Sequence, residues 1–160
     1  MKILPMEYLN AAFEIRDGGL FWRSPGKHKR TDIPAGCLKS GYRHVNIGGS
    51  HYVAHRIVFA IANGRWPIGE IDHINCVRSD NRPENLREST RRQNSNNRLT
   101  SRNNTSGHKG ICWDKQTGKW RARIYTSAGI INLGRHEDLE LAAFIYQCAA
   151  EKYHGEFART

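Results

Sequence analysis

Residues 70–97 read EIDHINCVRSDNRPENLRESTRRQNSNN, and this stretch decides the fold that we expect around it. The pair Asp72-His73 ends a short apolar run that predicts a strand. A polar loop containing Pro83 follows, and Asn85-Leu86-Arg87 predicts a returning strand. Thr90 stands where it would cap a short, Asn-rich helix. The stretch therefore predicts a strand, a loop, a second strand and a helix, with polar residues at the ends of these elements.

The polar residues are of the types that phosphodiester hydrolysis requires. A histidine near its ordinary pKa can take a proton from water at neutral pH, which suits His73 as a general base. A hard cation such as Mg²⁺ prefers oxygen ligands and keeps several waters, so Asp72 and one asparagine carbonyl would suffice to hold it. Asn85 lies twelve residues after His73, and Asn94 lies nine residues after Asn85. An asparagine amide can also orient the base.

Three pieces of this stretch resemble the HNH endonucleases, also called ββα-metal nucleases. They are DHIN at 72–75, DNRPENLR at 80–87 and QNSNN at 93–97, and HYVAHR at 51–56 resembles the phage and intron-type members. The resemblance covers about 40–98. It implies that His73 is the general base, that Asn85 orients it, and that Asp72 and Asn94 hold one divalent metal ion. Mg²⁺ is the expected ion, with Mn²⁺ as the alternative.

Other residues of the stretch leave alternatives open. Arg82 and Arg87 either contact phosphate or form a structural ion pair with Glu84 or Glu88. Asp80 and Asn81 are expected to build the turn. The structural alternative for the whole stretch is a strand–turn–helix with a surface histidine.

Composition limits the function classes. The chain has 160 residues, a formal net charge of +10 and a pI of about 9.8, so an acidic polymer is the natural partner; a solubilising surface is the alternative. No apolar run is long enough to span a membrane, and the N-terminus lacks a signal-peptide core, so a cytoplasmic protein of a bacterium or phage-infected cell is expected. The widely spaced cysteines are expected to be free thiols; they are Cys37, Cys76, Cys112 and Cys148.

Local patterns predict further elements before residue 70. Tyr42–Ile47 alternates, and the Gly48-Gly49-Ser50 turn predicts a hairpin with 51–54. Apolar spacing in 55–63 predicts a helix that ends at Gly64. His55, at its start, is expected to be a packed or capping residue rather than part of the site.

The part after residue 98 has a different composition. Residues 99–107 are polar and predict a flexible linker. Strands are predicted at 109–114, 119–126 and 130–134, followed by a helix from 137 or 138 to about 154. Residues 99–136 hold seven lysines and arginines against one acid, and 137–160 hold two against five. A basic sheet face backed by an acidic helix favours nucleic-acid binding over a merely solvated surface.

The motifs of 108–158 resemble the APETALA2/ERF DNA-binding domain. They are KGI at 109–111, TGKWRARI at 117–124, NLG at 132–134 and LAA at 141–143 with a later Ala149-Ala150. That family places its three-stranded sheet in the DNA major groove. The resemblance implies contacts from Lys109, Arg121, Arg123, Tyr125 and Asn132, with Lys115, Lys119 and Arg135 close to phosphates.

Together these observations predict an α+β protein of two domains. Residues 1–98 form a ββα-metal nuclease domain with an extra hairpin and helix, and 108–160 form a three-stranded antiparallel sheet packed on one α-helix. The expected activity is metal-dependent cleavage of double-stranded DNA, with a homodimer if both strands are cut. The alternatives are a non-catalytic DNA-binding regulator and an RNA nuclease or binder; the second is disfavoured because the A-form major groove is too narrow for a sheet.

Overall fold

The computed structural model describes residues 3–159 and divides the chain into two compact units between Arg91 and Arg92. Both units combine small antiparallel sheets with helices, which confirms the mixed α+β class. The division falls before the segment 99–107 that composition marks as a linker. Domains of 1–98 and 108–160 therefore stay a prediction.

The first unit contains three β-hairpins, the helices α1 and α2, and a further strand pair of which one strand carries Asp72 and His73. Its elements in chain order are α1 (Met6–Ala12), β1 (Phe13–Arg16), β2 (Gly19–Trp22), β3 (Cys37–Lys39), β4 (Tyr42–Ile47), β5 (Ser50–Val53), α2 (Ala54–Asn63), β6 (Glu70–His73) and β7 (Leu86–Ser89). A 3₁₀ turn, Pro83–Asn85, leads into β7. Helix α3 (Arg91–Asn96) follows at the division between the units.

Helix α2 is the centre of the first core. It buries the apolar face that its sequence predicts, and it ends at Gly64, whose φ of 66° is the left-handed conformation favoured at a helix end. The hairpins pack around it, and the buried core also includes Phe13, Leu20 and Tyr52. The sequence patterns did not predict α1, β1 or β3. These elements are too short to show a period of their own.

Two hairpin turns in this unit have the primed geometry that matches strand twist. Ser40 and Gly41 both have positive φ (53° and 83°) between β3 and β4, and Gly48 and Gly49 do the same between β4 and β5. The second turn is the predicted one. The first turn places the Ser40 carbonyl and Gly41 next to the side chain of Arg78.

The second unit is a sheet of order β10-β9-β8 with one long helix. Its elements are β8 (Ile111–Asp114), β9 (Lys119–Thr126), β10 (Gly129–His136) and α4 (Leu139–His154), with a final 3₁₀ turn at Gly155–Phe157. Asp138 caps α4 by accepting from the Leu141 N–H at 2.6 Å. Ala122 and Ile124 of β9 are buried in one core with the helix alanines. Tyr153 is exposed near the helix end.

Part of the polar segment before this sheet has a defined backbone. Ser106 is buried, and its hydroxyl oxygen lies 2.9 Å from the Ile111 carbonyl and 3.0 Å from both the His108 carbonyl and Asn104 Oδ1, so its one O–H can donate to any of the three. Asn104 Oδ1 also accepts from the Gly107 N–H at 2.7 Å. Polar residues that composition assigns to a flexible linker thus form a local hydrogen-bonded turn.

No helix in residues 3–159 is long and apolar enough to cross a bilayer. The four cysteines are free thiols, as predicted, and Cys37 and Cys148 are exposed.

Candidate active site

The Asp-His pair lies on β6, which pairs with β7 in an antiparallel register. That register sets Asp72 opposite Arg87 and His73 opposite Leu86. Both members of the pair are buried, with 3% and 5% of their surface exposed. A buried acid and a buried histidine must be hydrogen-bonded or paired to be tolerated, so their partners define the site.

Asp72 is paired with Arg87. The Arg87 Nε donates to Asp72 Oδ2 at 2.9 Å, and the second guanidinium nitrogen lies 2.9 Å from the same oxygen. The side chains of Arg87 and Asp72 are 14% and 4% exposed, so this is a buried ion pair. Arg87 therefore forms a structural ion pair, which was the alternative to a phosphate contact. Its partner is Asp72 and not the expected Glu84 or Glu88.

The expected carboxylates have other roles. Glu88 pairs with Arg65 at 2.7 Å and accepts from the Gly69 N–H at 2.8 Å. Arg82 pairs with Asp80 at 2.8 Å, and Glu84 lies at the outer limit of an ion pair, at 4.0 Å. Arg82 is thus a structural residue of the turn.

His73 is held by Asn81. The His73 Nε2 lies 3.1 Å from Asn81 Oδ1, and both side chains are buried. An amide oxygen only accepts, so Nε2 carries the proton and Nδ1 has the lone pair in the neutral ring. Burial lowers the pKa of His73, and the charge of Arg78 lowers it further, against opposing effects of Asn81, Asp72 and Asp80. The ring is therefore neutral at physiological pH, the state that a general base needs.

Asn85 fastens the loop that joins the two strands. Its Oδ1 accepts from the Asn75 N–H at 3.0 Å, and its Nδ2 donates to Asn75 Oδ1 at 3.0 Å and to the Asp80 carbonyl at 2.8 Å. Asn75 Nδ2 in turn donates to Asp80 Oδ2 at 2.7 Å. The contacts of Asn85 support the loop that carries Asn81, so Asn85 acts on His73 through the backbone, and a direct orienting role for it remains a prediction.

A second histidine, His55, packs against the first. The two rings meet edge to face with centroids 5.1 Å apart, and Tyr42 stacks on His55 in the same way at 5.4 Å. His55 Nδ1 is buried without a hydrogen-bond partner. Burial, followed by the nearby charges of His73, Arg56 and His44, lowers the pKa of His55 to about 3, so the ring is neutral. The expectation of a packed residue is met, but sequence reasoning missed that it packs on the candidate base.

The donor chemistry of the site fits a hard divalent cation. Asp72 offers carboxylate oxygen, and Mg²⁺ keeps much of its shell as water. Within residues 3–159 there is no cluster of three or more histidine, cysteine or acidic side chains that could hold a metal by themselves. Asn94 lies on α3, beyond the division of the units, and its role as the other ligand remains a prediction.

The predicted DNA contacts of the second unit fall into two groups. Two of the cations are already paired with acids of the same unit: Lys119 with Glu137 at 3.2 Å and Arg135 with Asp114 at 2.8 Å. Arg121 and Arg123, in the middle of β9, have no carboxylate partner among the described residues; Arg121 donates to Cys112 Sγ at 3.4 Å and Arg123 lies over the Tyr125 ring.

The remaining predicted contacts are less uniform. Tyr125 is 54% exposed and Lys115 is exposed. Lys109 Nζ donates to the Asn96 carbonyl at 2.7 Å, and Asn132 Oδ1 accepts from the Gly134 N–H at 3.3 Å beside an irregularity in the β9–β10 pairing. Arg121 Nε is buried without a partner. The middle of β9 is therefore the part of the sheet where positive charge stays available.

Comparison with known proteins finds an HNH endonuclease domain in the middle of the chain. Residues 52–96 match the family model described as HNH endonuclease. The chain is also 38% identical over 106 residues to Protein 3.8 of Escherichia phage T7, a match that covers 66% of this chain and 87% of that protein. No solved structure matches. The matched segment runs from the end of β5 to α3 and contains Asp72, His73, Asn81, Asn85 and Asn94.

Proposed function

We propose that this chain, whose residues 52–96 match the HNH endonuclease family model, is a metal-dependent DNA endonuclease with His73 as its general base. The observation that carries the proposal is the environment of His73. It is a buried, neutral imidazole whose Nε2 is held by Asn81 and whose neighbour in sequence is a carboxylate paired with Arg87. A base, an anionic metal ligand and a basic protein surface are the components that hydrolysis of a nucleic-acid backbone requires.

Each residue has a distinct task in this mechanism. His73 Nδ1 takes a proton from the attacking water while Asn81 holds the ring through Nε2. Asp72 and Asn94 are the proposed metal ligands, and Arg87 holds the Asp72 carboxylate in one orientation. The bound divalent ion, Mg²⁺ or Mn²⁺, would supply charge neutralisation at the phosphate and at the leaving oxygen. Asn85 fixes the loop, so that Asn81 reaches His73 in one geometry.

We further propose that the second unit binds duplex DNA through its sheet. The unpaired arginines of β9, with the exposed Tyr125 beside them, support this reading, as does the resemblance of 108–158 to the APETALA2/ERF domain. The contacts proposed for the sheet are Lys109, Lys115, Lys119, Arg121, Arg123, Tyr125, Asn132 and Arg135. Arg121 and Arg123 are expected to contribute most, because their charge is not neutralised by an acid. The place of action would be the cytoplasm of a phage-infected cell.

Cleavage of supercoiled plasmid tests the activity directly. In Mg²⁺ or Mn²⁺ the wild-type protein is expected to convert the plasmid to nicked circles before linear molecules, because one active site cuts one strand at a time. EDTA should stop the reaction. His73→Ala should lower the rate by roughly 10²–10⁴-fold, the usual contribution of a positioned base.

His28→Ala is the matched control, because His28 is an exposed histidine of the same unit. It should cleave like the wild type. If the wild-type protein binds DNA but does not cleave it with any divalent ion, the chain is a non-catalytic DNA-binding regulator. If linear molecules appear without nicked intermediates, the active form is a dimer.

A further inference from the structure

We propose that Arg78 binds the phosphate of the DNA that is being cleaved, and that the β3–β4 hairpin holds it in place for this purpose. The inference rests on the proposed nuclease function and adds to it a substrate contact outside the pattern of acid, histidine and asparagines. Arg78 lies in the exposed loop between β6 and β7, three residues before Asn81.

The pairing of the neighbouring arginines singles out Arg78. Arg65, Arg82 and Arg87 each pair with a carboxylate, at 2.7, 2.8 and 2.9 Å. Arg78 has no acidic side chain within ion-pair distance among residues 3–159, and its contacts are a carbonyl and an aromatic face. It is therefore the cation of this loop whose charge is not neutralised by an acid and remains available to an anion.

The side chain of Arg78 is nevertheless held in a defined position. Its guanidinium carbon lies 5.0 Å above the centre of the Tyr42 ring, and one guanidinium nitrogen donates to the Ser40 carbonyl at 3.2 Å. Gly41 allows this approach, because a Cβ there would lie 3.3 Å from Arg78 Cδ. An exposed arginine that is stacked and hydrogen-bonded loses less freedom when it binds a ligand.

The same ring connects Arg78 to the candidate base. The Tyr42 ring centre lies 6.1 Å from that of His73, so the guanidinium and the imidazole share one aromatic neighbour. A phosphodiester that is attacked by a water molecule at His73 would therefore lie beside the Arg78 guanidinium. After donating to Ser40, the guanidinium retains further N–H groups, which can bind two phosphate oxygens at once.

Binding and cleavage, measured separately, test the proposal. In EDTA, where no cleavage occurs, duplex DNA binding is measured across a series of salt concentrations. Arg78→Ala should reduce the slope of log Kd against log salt by about 0.9, because one phosphate contact is lost. In Mg²⁺ the single-turnover nicking rate should fall by roughly 10²–10³-fold, as expected for loss of a donor to developing charge. Arg78→Lys should recover only part of the rate, and added guanidinium ion should partly rescue Arg78→Ala.

Arg30→Ala is the matched control, since Arg30 is an exposed arginine of the same unit that pairs with Asp32. It should change neither the slope nor the rate. The proposal is overturned if Arg78→Ala keeps the wild-type slope, if Arg30→Ala gives the same losses, or if guanidinium rescues nothing. Failure of the nuclease function has a different signature: wild-type protein would cleave no DNA, while the slope measurement in EDTA would still report whether Arg78 contacts phosphate.

Discussion

The arginines of the β6–β7 segment and the arginines of strand β9 have different kinds of partner. In the loop and its strands, Arg82 and Arg87 are neutralised by acids, and Arg87 is buried with its partner. In the middle of β9, Arg121 and Arg123 contact a thiol and an aromatic ring. The first arrangement fixes the positions of catalytic groups, because a buried pair has one geometry. The second leaves positive charge for a polyanion. Arg78 combines both properties, since it is held in position without being neutralised.

The largest expected effect comes from breaking the buried pair. Arg87→Ala leaves the Asp72 carboxylate buried without its cation, which should cost about 3–5 kcal/mol of unfolding free energy. Arg82→Ala breaks a pair whose arginine side chain is 54% exposed, and it should cost at most about 1 kcal/mol. Urea denaturation of both variants, with hydrogen exchange of the β6 and β7 amides to assign the transition, measures the difference. Equal losses of unfolding free energy in the two variants would mean that the Asp72–Arg87 pair is not desolvated in solution.

A smaller effect is expected from removing the unpaired cations of the second unit. The double variant Arg121→Ala/Arg123→Ala should lower the salt slope of duplex binding by about 1.8, which corresponds to about a 60-fold loss of affinity at 0.1 M salt. The free energy of unfolding should change little, because neither arginine pairs with an acid. Lys119→Ala serves as the comparison, since Glu137 already neutralises that lysine. A loss for Lys119→Ala as large as that for each arginine would show that pairing does not decide which cations bind DNA.

The smallest expected effect concerns pH and the buried His55. Its folded pKa of about 3 is below the ordinary value, so between about pH 7 and pH 5.5 the unfolded chain takes up a proton that the folded chain does not. Stability should therefore fall by about 1 kcal/mol over this range. The groups that face His55 are His73, Tyr42, Arg56 and His44. His55→Phe keeps a ring in this place and should remove that part of the pH dependence.

The check is urea denaturation of wild type and His55→Phe at both pH values. The exposed His28, replaced by Phe, provides the control and should leave the pH dependence unchanged. A wild-type and a His55→Phe protein with parallel pH profiles would show that the His55 site is hydrated in solution.

Sequence patterns predicted the elements whose signal is local. The apolar spacing of α2, its Gly64 end, the alternation of β9 and the Asp138 cap of α4 were all readable within one element. The contacts that define the site depend on register and loop path, which the sequence does not contain locally. Arg87 pairs with Asp72 because the two strands place these positions opposite each other.

The partner of His73 shows the same limit. The resemblance to HNH endonucleases implied that Asn85 orients the ring. In the structure Asn81 lies against the ring and Asn85 holds the loop, so the orienting role of Asn85 stays a prediction. The contact between the His55 and His73 rings was not predicted, because no pattern in the helix of His55 indicates it.

The hydrogen bonds of Asn85 also bear on how this site can be varied. They tie Asn75 and Asp80 together, so that residues 76–79 form a small protrusion whose base is closed. Changes of length or charge inside this protrusion would alter Arg78 while the backbone that carries Asn81 and His73 stays fixed. The loop thus separates a tip that can be changed from a base that hydrogen bonds hold in place. Grafting protrusions of different charge onto this closure would vary the proposed phosphate contact without altering Asp72 and His73.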